Sequence, residues 1–88
     1  MTAFSTAEDC ALLRATLENH GVEIRIEKCD GDGGLVRLGD RHALFVPSSC
    51  SETSRIALYL ESIKKIAGPH AHLPPRVRQL LGEEDWNG

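Results

Sequence analysis

The side chains best suited to chemistry in this chain are Cys10, Cys29 and Cys50 together with His20, His42, His70 and His72. Zinc takes thiolate and imidazole ligands in a tetrahedron and usually receives them as close pairs from a turn. The only close pair here is His70 and His72, in a segment flanked by prolines, and there is no Cys-x-x-Cys. The spacing therefore predicts no metal site, with His70 and His72 the nearest approach to one, and no cofactor. Cys10 and His20 fall on the apolar stripe expected of the first helix, where a free cysteine acts as a small hydrophobe. Asp30-x-Asp32-x-Gly34 resembles the opening of a calcium loop. Its fifth, sixth and twelfth positions are Gly34, Leu35 and Arg41, which lack the ligands and the glycine such a loop needs.

Cys50 is the most reactive-looking group. Ser49 and Glu52 form a Ser-x-x-Glu capping box, which places Cys50 at the first position of a helix, where the dipole stabilises a thiolate. A cysteine nucleophile also needs a base and an oxyanion hole, and the sequence identifies neither, although His42 lies on the adjoining strand. Leu58 to Lys64 carries no His-Glu-x-x-His, so zinc-peptidase chemistry is excluded. Arg55, Lys64, Lys65, Arg76 and Arg78 make the second half of the chain locally basic, ahead of the acidic run Glu83-Glu84-Asp85. Helix, three strands, helix is also the order of double-stranded RNA-binding domains. Those place a lysine cluster at the start of the last helix, where this chain has Ser51-Glu52-Thr53-Ser54-Arg55.

The elements that must position these groups follow from periodicity and punctuation. Ser5 and Glu8 box the start of a helix over about 6–20, with Leu13, Leu17 and their neighbours on one stripe and Gly21 as its left-handed stop. Val22, Ile24 and Ile26 alternate with Glu23, Arg25 and Glu27, which predicts a strand with one wet face. A glycine-rich turn over 30–34 leads to a second strand, Leu35 to Leu38. Gly39-Asp40 makes a two-residue hairpin into a third strand, Arg41 to Val46, stopped by Pro47. Ile56, Tyr59, Leu60, Ile63 and Ile66 mark a second main helix ending at Gly68-Pro69. Pro74-Pro75 opens a short one carrying Val77, Leu80 and Leu81 as far as Gly82.

The hairpin turn sets Leu38 opposite Arg41, Arg37 opposite His42 and Val36 opposite Ala43. One face then carries Val36, Leu38, Ala43 and Phe45, and the other Leu35, Leu44 and Val46 beside Arg37 and His42. Two helices cover one face of a three-stranded sheet, so the second face meets a partner or is closed by the terminal helix, with Val77, Leu80 and Leu81 as its lid.

The strand Gly33-Gly34-Leu35-Val36-Arg37-Leu38, the hairpin into Leu44-Phe45-Val46, and the tail Leu73-Pro74-Pro75-Arg76-Val77-Arg78-Gln79-Leu80-Leu81 resemble a family of small, poorly characterised bacterial proteins. The likeness covers about 22–81. It implies a small fold of helices and strands and a bacterial cytoplasmic setting, and no activity. Arg37 and Arg78 are its polar members without an evident folding duty.

At 88 residues, 41% hydrophobic and 26% charged, the chain has the composition of one globular domain, which excludes a disordered chain or a collagen-like repeat. A formal charge of −3 disfavours nucleic acid as the main partner. An odd cysteine count, no apolar leader and no membrane-length apolar run point to the cytoplasm. The expected architecture is α+β: helix, three-stranded antiparallel meander, helix and short C-terminal helix over 1–82, followed by an acidic, disordered tail over 83–88. The favoured function is a non-enzymatic binding or interaction module. It self-associates, or meets a protein partner, through the open face of the sheet or the edge of the third strand, with Arg37, His42, Arg76 and Arg78 as binding residues beside Leu35, Leu44 and Val46. The alternatives are RNA binding through Arg55, Lys64, Lys65, Arg76 and Arg78, and a thiol-dependent enzyme at Cys50.

Overall fold

A computed structural model describes residues 6–28, 31, 33–67 and 73–84. Ser5, Cys29, Asp30, Asp32, Gly68, Pro69, His70 and His72, and the tail from 85 onward, lie outside the described residues. Helix α1 spans Thr6–Asn19, strand β1 Val22–Glu27, β2 Gly34–Leu38 and β3 Arg41–Pro47. Helices α2 and α3 span Glu52–Ile66 and Pro75–Glu84.

Local signals set these boundaries. Gly21, at φ 84°, ends α1 in the left-handed conformation that costs glycine nothing. Pro75 occupies the first position of α3, where its missing N–H is no loss. That helix continues past Gly82 to Glu84, so it takes in the first two residues assigned to the tail. The start of α2 is a correction. Its cap is Ser51, whose hydroxyl accepts from the Ser54 N–H at 3.1 Å. The Cys50 N–H instead donates to the Pro47 carbonyl at 3.1 Å. This turn occupies 47–50, so the helix begins after Cys50 rather than at it.

The fold is α+β, but its sheet is mixed, with strand order β1-β3-β2, not a meander. β2 and β3 form the expected antiparallel hairpin in the expected register, Leu38 opposite Arg41 and Arg37 opposite His42. β1, however, pairs parallel to β3, with Ile24 beside Leu44 and Ile26 beside Val46. The physical reason lies in β3. Ala43-Leu44-Phe45-Val46 is apolar on both sides and belongs in the middle of the sheet, whereas β1 alternates with charge and suits an edge. The segment after β1 crosses a gap of about 10 Å, two strand spacings, which the residues between Glu27 and Gly34 can span. Gly33 is required there. It sits at φ 74°, and a Cβ would collide with the Phe45 carbonyl oxygen and come within 2.8 Å of Pro47 Cδ.

The core gathers Leu13 and Leu17 of α1, Val22, Leu44 and Val46 of the sheet, Tyr59, Leu60 and Ile63 of α2, and Val77 of α3. All three helices thus contribute to one core layer on a single face of the sheet. Buried Thr16 and Ser62 satisfy their hydroxyls within their own helices, donating to Leu12 O at 2.9 Å and Leu58 O at 2.8 Å. The most consequential tertiary contact is polar. Arg76 Nε and Nη2 donate to the two carboxylate oxygens of Asp9 at 3.1 and 3.0 Å, a two-pronged pair locking α3 to α1 with both side chains largely buried. No described helix is long and apolar enough to cross a membrane.

Candidate interaction surface

The face left open is the opposite one from that expected of the hairpin pattern. Leu44 and Val46, expected on a contact surface, are both 0% exposed beneath the helices, and Leu35 packs partly buried against them. The parallel register of β1 explains this. It lines up Val22, Ile24 and Ile26 with His42, Leu44 and Val46, so the apolar side of β1 continues the Leu44 side of β3; the helices cover Val22 and part of Ile24, while Ile26 at the strand's end stays 38% exposed. The terminal helix adds Val77 to that same layer, with Leu80 and Leu81 packed against the core, so it joins the other two helices instead of closing the second face as a lid.

The other face carries Gly34, Val36 and Leu38 on β2, Arg41, Ala43 and Phe45 on β3, and Glu23, Arg25 and Glu27 on β1. Val36 is 39% and Leu38 56% exposed, large apolar side chains in water at alternate positions of an edge strand. Phe45 is half-buried, with the Arg25 guanidinium 5.8 Å from its ring centre. Arg25 also reaches Glu27 at 3.2 Å and Glu23 at 3.7 Å, so β1 holds a charged row along its open side. β2 has no counterpart to that row. The Arg37 side chain, exposed on the helix side of β2, donates from Nε to Gly39 O at 3.0 Å. It sits in register with half-buried His42.

Two of the five basic residues are engaged by other groups of the fold. Arg76 is engaged with Asp9 and with Gln79. Arg55 is half-buried, and its guanidinium lies against the Cys50 thiol, a contact that raises it above its ordinary value. Arg55 Nε itself is buried with no hydrogen-bond partner among the described residues. Lys64, Lys65 and Arg78 are exposed.

A concavity lies along α2. A groove of about 730 Å³ is lined by Cys50, Ser49, Ser54, Glu61, Lys64 and Lys65 among others, which brings the thiol and two of the basic residues to one place. Behind it, the Cys10 Sγ–H donates to the Glu52 carbonyl at 3.6 Å. Burial, then the nearby Glu52 carboxylate, pushes the Cys10 thiol up. The Tyr59 phenol is also pushed up by burial, against the opposing pull of Arg55. His20, expected on the buried stripe of α1, is instead exposed beyond the helix end, its Nδ1 2.9 Å from Thr16 O. Among the described residues, no three His, Cys, Asp or Glu side chains are gathered as a metal site.

Sequence reasoning missed the ion pair of Asp9 with Arg76 and the contact of Arg55 with Cys50. The first joins residues 67 positions apart and leaves no local trace. The exposed pair Val36 and Leu38 is legible as an apolar alternation, but the hairpin pattern alone does not tell which face the helices take. No protein family, curated protein or solved structure matches the chain.

Proposed function

We propose that this chain is a non-enzymatic protein-interaction module that works through the open face of its sheet and the adjoining edge of β2, and that it self-associates there. One observation carries the reading: Val36 and Leu38 stand exposed on a face that no described element covers, on an edge strand that lacks the charged row of β1. Apolar side chains clustered at an unguarded strand edge are the chemistry of strand addition. Native mass spectrometry across a concentration series tests it. The expected result is a dimer that Leu38→Lys disperses into a monomer that still unfolds cooperatively, with a midpoint matching that of the wild type at dilutions where it is monomeric. A monomer at every concentration, or a dimer indifferent to Leu38→Lys, overturns it.

A second reading, thiol chemistry at Cys50, is favoured by the Arg55 guanidinium beside that thiol and by its position on the α2 groove. It predicts alkylation of Cys50 ahead of Cys10 and Cys29 near neutral pH, slowed by Arg55→Ala. Equal labelling of all three removes it.

A further inference from the structure

The partner and geometry of this contact follow from β2 itself, resting on the self-association proposed above. We infer that two copies join β2 to β2 antiparallel about a two-fold axis at Val36, making a continuous six-stranded sheet.

The hydrogen-bond phase comes from the turn. Gly39 has φ 67° and Asp40 a negative φ, the pattern of a type II′ two-residue hairpin. Such a turn is closed by a hydrogen-bonded pair, here Leu38 with Arg41, and the pairs then alternate along the ladder. Leu38, Val36 and Gly34 therefore direct their backbone groups toward β3. Leu35 and Arg37 direct theirs to the free edge.

A second β2 must match outward groups with outward groups. A two-fold at Val36 does so, because it sets Leu35 against Arg37 of the second copy and Arg37 against its Leu35. Each of these pairs exchanges two bonds, about four in all. Val36 then meets its own equivalent as a non-hydrogen-bonded pair, the closer kind, with Cα atoms about 4.5 Å apart. Leu38 falls opposite Gly34, and the open face gains an unbroken apolar stripe from four side chains, Val36 and Leu38 of each copy.

Charge selects this register over its neighbours. A two-fold at Arg37 also satisfies the hydrogen-bond phase but sets two guanidinium groups opposite one another, which is unfavourable. A two-fold at Leu35 places Arg37 against Gly33 and leaves Leu38 beyond the paired strand. Only the Val36 axis pairs the whole of Gly34–Leu38 with itself. β1 offers no equivalent, because its open side is occupied by Glu23, Arg25 and Glu27.

Two variants test the register separately from the surface. Arg37→Pro removes an outward N–H and no bond to β3, a change an edge strand accommodates. It weakens the dimer by about tenfold or more, as the loss of two strand hydrogen bonds requires. Val36→Cys, oxidised mildly and mapped by peptide mass spectrometry, gives a disulfide that joins the two chains at that position. Leu38→Cys, treated in the same way, gives no such link at its own position. A dimer that Leu38→Lys disperses but Arg37→Pro leaves intact, with no interchain disulfide from Val36→Cys, overturns the register and keeps the interaction surface. A wild-type monomer overturns both.

Discussion

The two edges of this sheet are built to opposite ends. β1 and β2 flank the same central strand and alternate between the same two faces, yet their open-side positions differ in kind: Glu23, Arg25 and Glu27 on one, Gly34, Val36 and Leu38 on the other. The β1 row is partly neutralised by Arg25, which bridges both glutamates and covers the Phe45 ring, leaving one net negative charge. Ion pairs this exposed add little to stability, with a median of about 0–1 kcal/mol. On the proposed reading such a row disfavours docking of a foreign strand, since pairing there would strip charged groups of water. β2 has no charge on that side and, among the described residues, no covering. An edge can thus be closed by chemistry alone, with no extra element of structure.

The largest effects should come from confusing the sheet's two faces. Leu44→Ala empties a fully buried site and should cost about 3 kcal/mol or more. Leu38→Ala, on the other face of the same hairpin, should stay within about 0.5 kcal/mol in urea unfolding of the monomer. Similar losses at both would mean that the open face is covered in solution. Next in size is the lock that holds the helical layer in place. Asp9→Ala removes both bonds from the largely buried Arg76 guanidinium to the Asp9 carboxylate and should cost about 2 kcal/mol or more, whereas exposed Arg14→Ala, which loses a surface pair with Glu18, should cost less than about 1 kcal/mol.

Smaller in free energy, but more direct, is an exchange of edge chemistry. Replacing Glu23 and Glu27 together by valine removes the guard from β1. It should convert a closed dimer into open-ended, concentration-dependent assemblies, read by light scattering, because each copy then offers two adhesive edges. Unchanged scattering would show that the charged row is not what keeps β1 apart. The smallest effect expected is on pH dependence. Cys10 and Tyr59 are raised from ordinary values of 9.0 and 10.0, chiefly by burial. As pH rises past about 9 the unfolded chain ionises these groups before the folded one does, so the stability they contribute at neutral pH declines. Cys10→Ala should flatten the early part of that alkaline decline, followed by denaturant midpoints at stepped pH.

Much of the hairpin was legible in the sequence. Gly39-Asp40 set a two-residue turn, the turn set the register, and the pairing of Arg37 with His42 followed. Which side of that hairpin faced the core was not legible from the hairpin alone, since both sides are apolar. The decision lay with β1, whose only apolar side is Val22, Ile24 and Ile26, and it took effect once β1 paired parallel to β3. The clue was nonetheless present: a strand apolar on both sides, Ala43 to Val46, is a central strand. A meander puts β2 in the centre because it keeps to sequence order, and sequence neighbours are not always sheet neighbours.

The elements themselves were written locally, because what starts, stops and turns a chain acts within a few residues: Gly21 ending α1, Pro75 opening α3, period-two alternation along β1. Strand order, the covered face, the bond between Asp9 and Arg76 and the move of the α2 cap from Ser49 to Ser51 emerged only on folding. Each of these follows from an interaction between distant or competing partners. The free energy of such a choice exists only when the whole core closes, and local pattern cannot report it.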